Sequence, residues 1–163
     1  MPLSTSTRTI SRAILWGGLG AGLLDAADGV VAFGFKGLNP IQVLQYIASG
    51  LLGPSSFRGG LVTAALGTGF HFFIAFVAAA VYVLASQQIA LLNGRAVLFG
   101  VLYGVMVYFF MNYLVLPLSA VGHSPFSLGL FLNGVIGHGI FVGLPVALYA
   151  RKAAESVPND TKT

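Results

Sequence analysis

Two long stretches of the chain carry no charged side chain: residues 59–94 and 96–150 contain no Asp, Glu, Lys or Arg. An uncharged hydrophobic stretch of about 18 residues or more is typical of a membrane-spanning helix. Only 7% of the 163 residues are charged and 56% are hydrophobic, whereas a soluble domain carries about 25% charged residues. These values exclude a soluble enzyme, a nucleic-acid-binding domain and a disordered chain, and they predict an integral membrane protein.

Four apolar segments predict an all-α fold, a bundle of four transmembrane helices. They cover residues 13–35, 61–85, 96–118 and 126–150. Each is long enough to cross about 30 Å of hydrocarbon at a rise of about 1.5 Å per residue. The segments are continuously apolar, which favours helices over the alternating strands of a membrane barrel. We expect one transmembrane domain over residues 1–152, followed by a disordered cytoplasmic tail over residues 153–163.

Lys and Arg predict the orientation. Four spans place both ends of the chain on one side of the membrane, and that side collects most of the basic residues: Arg8, Arg12, Arg95, Arg151, Lys152 and Lys162. The other side has Lys36 and Arg58. The positive-inside rule then predicts cytoplasmic termini. The same charges account for the pI of about 9.7, so no nucleic-acid partner is needed. A cleaved signal peptide, with residues 13–24 as its apolar core, is the competing interpretation of the N-terminal segment.

The connection between the first two segments has a helical pattern of its own. Asn39 can cap a helix that has Pro40 at its first position, and Gly53-Pro54 can end it. One side of this helix is apolar, and the other contains Gln45 and Ser49. We expect a short amphipathic helix on the outer membrane surface; the alternative is a loop packed on top of the bundle. His123 falls in the last outer loop, where we expect it to be solvated.

Small residues four positions apart predict close helix packing in each segment. The pairs are Gly18/Gly22, Ala65/Gly69, Gly100/Gly104 and Gly139/Gly143. Such pairs let helix backbones approach closely in lipid, where no hydrophobic force drives helices together. The pairs can pack the helices of a single monomer against one another. Alternatively, the Gly-rich faces can join the chain to further copies of itself or to other subunits of a membrane complex. Pro145 lies inside the fourth segment and predicts a kink there.

Six polar residues inside the predicted spans are the candidate binding residues: Asp25, Asp28, His71, Asn112, Asn133 and His138. At about 1.5 Å per residue, Asp25 and both histidines fall within roughly 5 Å of the middle of their segments. The other three fall about 6–9 Å toward the outer side. A charged residue at a helix centre costs about 2.5–3.5 kcal/mol on the insertion scale. Because two aspartates offset most of the apolar gain of the first segment, the layer indicates a functional site.

Three functions remain open for this layer. In the first, Asp25 and Asp28 bind a proton or cation in a small transport or binding protein, and His71 and His138 shuttle protons or complete a divalent-metal site. In the second, His71 and His138 are the axial ligands of a b-type haem. In the third, the polar side chains only hydrogen-bond across the bundle, and the protein is a structural or accessory membrane subunit. The sequence has no GxSxG motif, Walker loop or paired glutamates, which argues against an enzyme.

Several stretches resemble known sequences: residues 47–53, 71–76, 107–113 and 142–145, with His71-Phe72-Phe73 and Val142-Gly143-Leu144-Pro145 among them. They resemble small bacterial membrane proteins with four predicted helices, an uncharacterised group with no established activity. The resemblance covers most of the chain and implies a multi-pass protein of the bacterial inner (cytoplasmic) membrane. It transfers no catalytic or binding residue.

Overall fold

The computed structural model describes residues 6–122 and 125–156, and within these ranges the chain forms helices and no strand. Four helices are long and apolar enough to cross a membrane: α1 (Thr7–Gly34), α3 (Gly60–Gln88), α5 (Ala96–Leu118) and α6 (Leu128–Glu155). Two shorter helices lie between them, α2 (Pro40–Leu52) and α4 (Ala90–Gly94). The all-α prediction is confirmed, with four helices long and apolar enough to span a membrane. His123 and residues 157–163 of the expected tail lie outside the described residues.

The helix α1 begins six residues before the apolar segment that predicts it. Ser6 caps its start, because the Ser6 hydroxyl oxygen accepts a hydrogen bond of 3.3 Å from the Thr9 backbone N–H. Hydropathy locates the apolar part of a helix and not its polar first turns, which explains the difference.

The helix α2 has the predicted bounds. Asn39 caps it in a reciprocal arrangement: the Gln42 N–H donates to Asn39 Oδ1, and the Asn39 N–H donates to Gln42 Oε1, both at 3.0 Å. Pro40 occupies the first turn, where its missing N–H costs nothing. The helix ends before Gly53, whose φ of +61° suits a residue without a side chain.

The orientation of α2 differs from that expected of a helix on the membrane surface, whose polar side would face water. Gln45 and Ser49 are buried, whereas Ile41 and Leu51 are exposed. Gln45 Nε2 donates hydrogen bonds to the Gly60 carbonyl oxygen at 2.9 Å and to the Thr63 hydroxyl at 3.3 Å. Because the first turn of α3 offers these acceptors, α2 turns Gln45 toward the protein together with Val43 and Ala48, and leaves Ile41 and Leu51 outward.

Close backbone contact sets the arrangement of the spanning helices. Helix α1 packs between α3 and α6, and α6 also packs against α5. Where α5 meets α6, a Cβ on Gly100 would lie 2.7 Å from Ala147 Cβ, and one on Gly104 would collide with the His138 carbonyl oxygen. Tyr103 of α5 donates a hydrogen bond of 2.7 Å to the Ala78 carbonyl of α3. Glycine therefore allows the α5–α6 contact that positions His138.

The small residues predicted on α3, Ala65 and Gly69, do not serve packing within the described bundle. Ala65 is exposed, and a Cβ on Gly69 would meet nothing within 4 Å. The residue that needs to be small is Gly67, because the Leu44 carbonyl oxygen of α2 lies where its Cβ would stand. The close backbone contact that a small residue allows on α3 is therefore with the short helix α2, through Gly67, and not with another long helix through Gly69.

Two of the spanning helices contain a π-helical segment ending two residues before a proline. Met111–Val115 precedes Pro117 in α5, and His138–Gly143 precedes Pro145 in α6. Proline has no N–H to donate and clashes with the carbonyl four residues earlier, so the backbone widens locally to compensate. The irregularity expected at Pro145 takes this form, and its first residue is His138.

Candidate intramembrane polar site

Asp25 of α1 faces His138 of α6. The distance from Asp25 Oδ1 to His138 Nδ1 is 3.6 Å, and the side chains are 21% and 22% exposed. The backbones of α1 and α6 approach closely, as Gly17 shows: a Cβ on this residue would lie 3.4 Å from Val146 Cα. The structure therefore brings together two of the predicted site residues that lie 113 positions apart in the sequence (138 − 25).

The ring of His138 also contacts an aromatic residue that the sequence analysis missed. Tyr108 packs edge-on to His138, with ring centroids 5.4 Å apart and planes at 74°. Tyr108 itself is buried, and a Cβ on Gly134 would collide with its ring. The signal that could have found Tyr108 is its position four residues before Asn112, on the same helix face.

Asp28 pairs with Asn133 one turn farther along the same interface. Asn133 Nδ2 donates a hydrogen bond of 2.8 Å to Asp28 Oδ2. Asp25 and Asp28 lie on one side of α1, since residues three apart are neighbours on a helix surface. Two polar contacts, Asp25–His138 and Asp28–Asn133, thus join α1 to α6.

His71 takes a different place from His138, although the two were expected at the same depth. Its Nε2 lies 2.8 Å from the Gly22 carbonyl oxygen of α1, at hydrogen-bonding distance. Within residues 6–122 and 125–156, His71 forms no ion pair with Asp25 or Asp28. His71 therefore ties α3 to α1 instead of completing the Asp25–His138 pair.

Asn112 stays within its own helix. Its Nδ2 donates a hydrogen bond of 2.9 Å to the Tyr108 carbonyl oxygen, in the π-helical segment of α5. A side-chain amide that bonds four residues back satisfies a backbone acceptor near a helix irregularity. Asn112 contributes to the site through the backbone of Tyr108 and not through contact with either aspartate.

The positions of the two aspartates and two histidines test whether they can share a metal ion or a haem. Among the residues that the structure describes, no group of three or more His, Cys, Asp or Glu side chains is placed to hold a metal ion. The four predicted ligands instead separate into the Asp25–His138 pair, Asp28 on Asn133, and His71 on a backbone carbonyl. Iron ligation by His71 Nε2 would break its bond to Gly22.

Four apolar helices of spanning length, with an aspartate–histidine pair inside the α1–α6 interface, indicate a helical multi-pass membrane protein. Comparison of the chain with protein families, with curated proteins and with solved structures found no match. The resemblance to small bacterial inner-membrane proteins stays a prediction.

Proposed function

We propose that the protein binds and releases a proton at the Asp25–His138 pair, as part of proton- or cation-linked transport. The observation that carries the proposal is the geometry of this pair. His138 Nδ1 is buried, has no hydrogen-bond partner among the described residues, and lies 3.6 Å from Asp25 Oδ1. A contact that only fastens two helices would be expected to close to about 2.7–3.2 Å, as Asp28 and Asn133 do.

The charge balance of the pair supports exchange of a cation. With one exchangeable proton the pair is neutral overall. The proton lies either on the carboxyl of Asp25, beside a neutral imidazole, or on His138, whose imidazolium then forms an ion pair with the carboxylate. Loss of that proton leaves a net negative charge in a medium where charge is costly. A second cation, or another proton, restores neutrality. Histidine suits this role because its charge changes near neutral pH in water.

Asp28 supplies a neighbouring position for a cation. It lies three residues beyond Asp25, about 4.5 Å farther along α1. Its Oδ2 accepts a hydrogen bond from the neutral Asn133 side chain, so no basic side chain compensates its charge in that bond. A proton or cation leaving the Asp25–His138 pair toward this end of α1 therefore meets a second carboxylate within one turn.

A structural or accessory role is the second candidate, and a specific observation favours it. Asp28, His71, Asn112 and Asn133 each have a hydrogen-bond partner within the protein. Side-chain hydrogen bonds between membrane helices average about 0.6 kcal/mol in one measured system. Such bonds could hold the bundle together without any transport. Only the Asp25–His138 pair departs from this pattern within the layer.

We also propose the orientation. Both termini lie in the cytoplasm of a bacterial cell, in its inner membrane, and α2 lies at the outer side. The distribution of Lys and Arg supports this orientation. The polar layer then lies between the middle of the membrane and the outer side.

Proton uptake into liposomes tests the proposed function. Protein is reconstituted into vesicles that contain a pH-sensitive dye, and a potassium diffusion potential drives cations inward. We expect uptake above that of empty vesicles, and at least a tenfold loss in His138→Gln, because glutamine keeps hydrogen-bonding groups but does not titrate. His71→Gln is the matched control and should keep the uptake. Uptake equal in the parent, His138→Gln and empty vesicles would favour the structural role.

A further inference from the structure

A groove opens at the end of the bundle where α5 begins. It has a volume of about 540 Å³ and is lined by the first residues of α5, with Arg95 and Arg151 at its walls. A second cavity of about 280 Å³ adjoins it and shares Gly94 and Arg151. One side of the combined space is therefore apolar, and the other is polar and positively charged.

The apolar wall of the groove consists of Val97, Leu98 and Val101. Val97 is 58% exposed and Leu98 is 49% exposed. From Val97 to Val101 the wall covers about 6 Å along the helix axis. It lies at the start of a helix of membrane-spanning length, so a hydrocarbon chain can lie against it.

The cationic wall can hold an anion. Arg95 is exposed and forms no ion pair within the described part of the chain. Arg151 donates from Nε to Glu155 Oε1 at 2.6 Å, and a guanidinium has further N–H groups that this bond does not use. Arg95 also precedes the first turn of α5, whose N–H groups no side chain caps. The positive end of the helix dipole therefore adds to the two arginines.

We propose that this groove is a binding site for an anionic phospholipid. The phosphate lies between Arg95 and Arg151, and an acyl chain follows Val97, Leu98 and Val101. An amphipathic ligand fits because the cationic and apolar walls are continuous. An anionic ligand fits because the linings of the two cavities contain two arginines and one carboxylate, Glu155, which is paired with Arg151 and leaves the charge of Arg95 uncompensated. A free phosphate ion would use the arginines and leave the apolar wall empty. Basic pockets at the ends of membrane helices are known to hold anionic head groups.

Native mass spectrometry of the purified protein tests this site. The protein in detergent is titrated with phosphatidylglycerol or with zwitterionic phosphatidylcholine. We expect one phosphatidylglycerol to bind more tightly than phosphatidylcholine. Arg95→Gln combined with Arg151→Gln should weaken phosphatidylglycerol binding on the order of 30-fold. It should weaken phosphatidylcholine binding less, because the cationic choline group of that lipid offsets the charge of its phosphate. Arg8→Gln removes a charge on the same side outside the groove and should have little effect.

Two further variants distinguish loss of a specific lipid site from loss of general electrostatic attraction and from misfolding. Arg95→Lys keeps the charge and should restore most of the binding that Arg95→Gln loses. Val101→Asn should weaken lipid binding, because it places a polar group on the acyl wall. Equal binding of both lipids by the parent would overturn the proposal. So would an equal loss in Arg8→Gln, or displacement of the lipid by millimolar inorganic phosphate.

Discussion

The carboxylate of Asp28 occupies the space in which a side chain at residue 137 would begin. A Cβ on Gly137 would lie 2.7 Å from Asp28 Oδ2, and the same oxygen accepts the hydrogen bond from Asn133. Gly137 and Asn133 are four residues apart and share one face of α6. Together they form a notch that holds an aspartate of α1 against the backbone of α6.

Gly137→Ala should close this notch. The added methyl group displaces the carboxylate, lengthens its bond to Asn133 and separates α1 from α6 locally. Relative to Gly129→Ala, which makes the same gain in helix propensity, we expect the free energy of unfolding to be about 1–3 kcal/mol lower, the usual range for overpacking a tight contact. Reversible unfolding in mixed micelles, followed by circular dichroism, measures the change.

Gly129→Ala is the matched control, because it makes the same substitution on the same helix. A Cβ on Gly129 would meet nothing within 4 Å. Alanine favours a helix over glycine by about 1 kcal/mol, so this variant should be as stable as the parent or more stable. Equal destabilisation by both variants would show that the notch does not restrict residue 137.

The four spanning helices could be predicted because each requires only a long apolar stretch, whereas the partners of the polar residues could not. Depth along a helix follows from residue number, so Asp25, His71 and His138 could be placed at one level. Depth does not tell which side of α1 faces which helix. His71 and His138 were equal candidates for the aspartates, and only the packed bundle directs His71 to Gly22 and His138 to Asp25.

The local irregularities were predictable in part. Pro145 predicted a distortion of α6, because proline cannot continue the hydrogen-bond ladder. That the distortion is a π-helical segment beginning at His138 depends on how α5 and α6 pack. The burial of Gln45 could not be predicted, and the cause is similar. Its acceptors, the Gly60 carbonyl and the Thr63 hydroxyl, lie on another helix and leave no sign in the hydrophobic pattern of α2.

The contact between α2 and α3 can be tested with two glycines that are two positions apart. Gly67→Ala should push α2 away, because the new methyl group would collide with the Leu44 carbonyl oxygen. Gly69→Ala should be tolerated, since the space around it is open. Trypsin cleavage after Arg58, which is exposed in the turn joining the two helices, should become faster in Gly67→Ala alone. The contact would be refuted by equal cleavage rates in the two variants.

The proposed orientation predicts the outcome of reporter fusions. Fusions after Thr163 and near Gly94 should report a cytoplasmic location, and a fusion near Ser55 should report a periplasmic one. The reason is the excess of Lys and Arg on the side of the termini. Alkaline phosphatase and a fluorescent protein, which are active on opposite sides of the inner membrane, serve as paired reporters. A periplasmic signal after Thr163 would contradict the orientation and the span count together.

Replacing Asp25 and Asp28 with asparagine separates architecture from proton binding. Asparagine keeps nearly the same shape and can still hydrogen-bond, but it cannot ionise. Because the cost of placing two carboxylates in α1 disappears, the double variant should insert into membranes at least as well as the parent. Membrane yield and the unfolding temperature in detergent measure this part of the prediction. Uptake into the dye-loaded liposomes should fall to the level of empty vesicles.

The single variants assign that loss to one carboxylate. Asp25→Asn should abolish uptake, because Asp25 faces His138 at 3.6 Å. Asp28→Asn should reduce it less, because Asp28 contacts only Asn133 among the site residues. Stable insertion with unchanged uptake in the double variant would eliminate the proton site and leave the structural role. Failure to insert would show that ionised aspartates are needed for assembly, as expected of an ion pair between Asp25 and a protonated His138, because removing one partner of a buried pair leaves the other charge uncompensated.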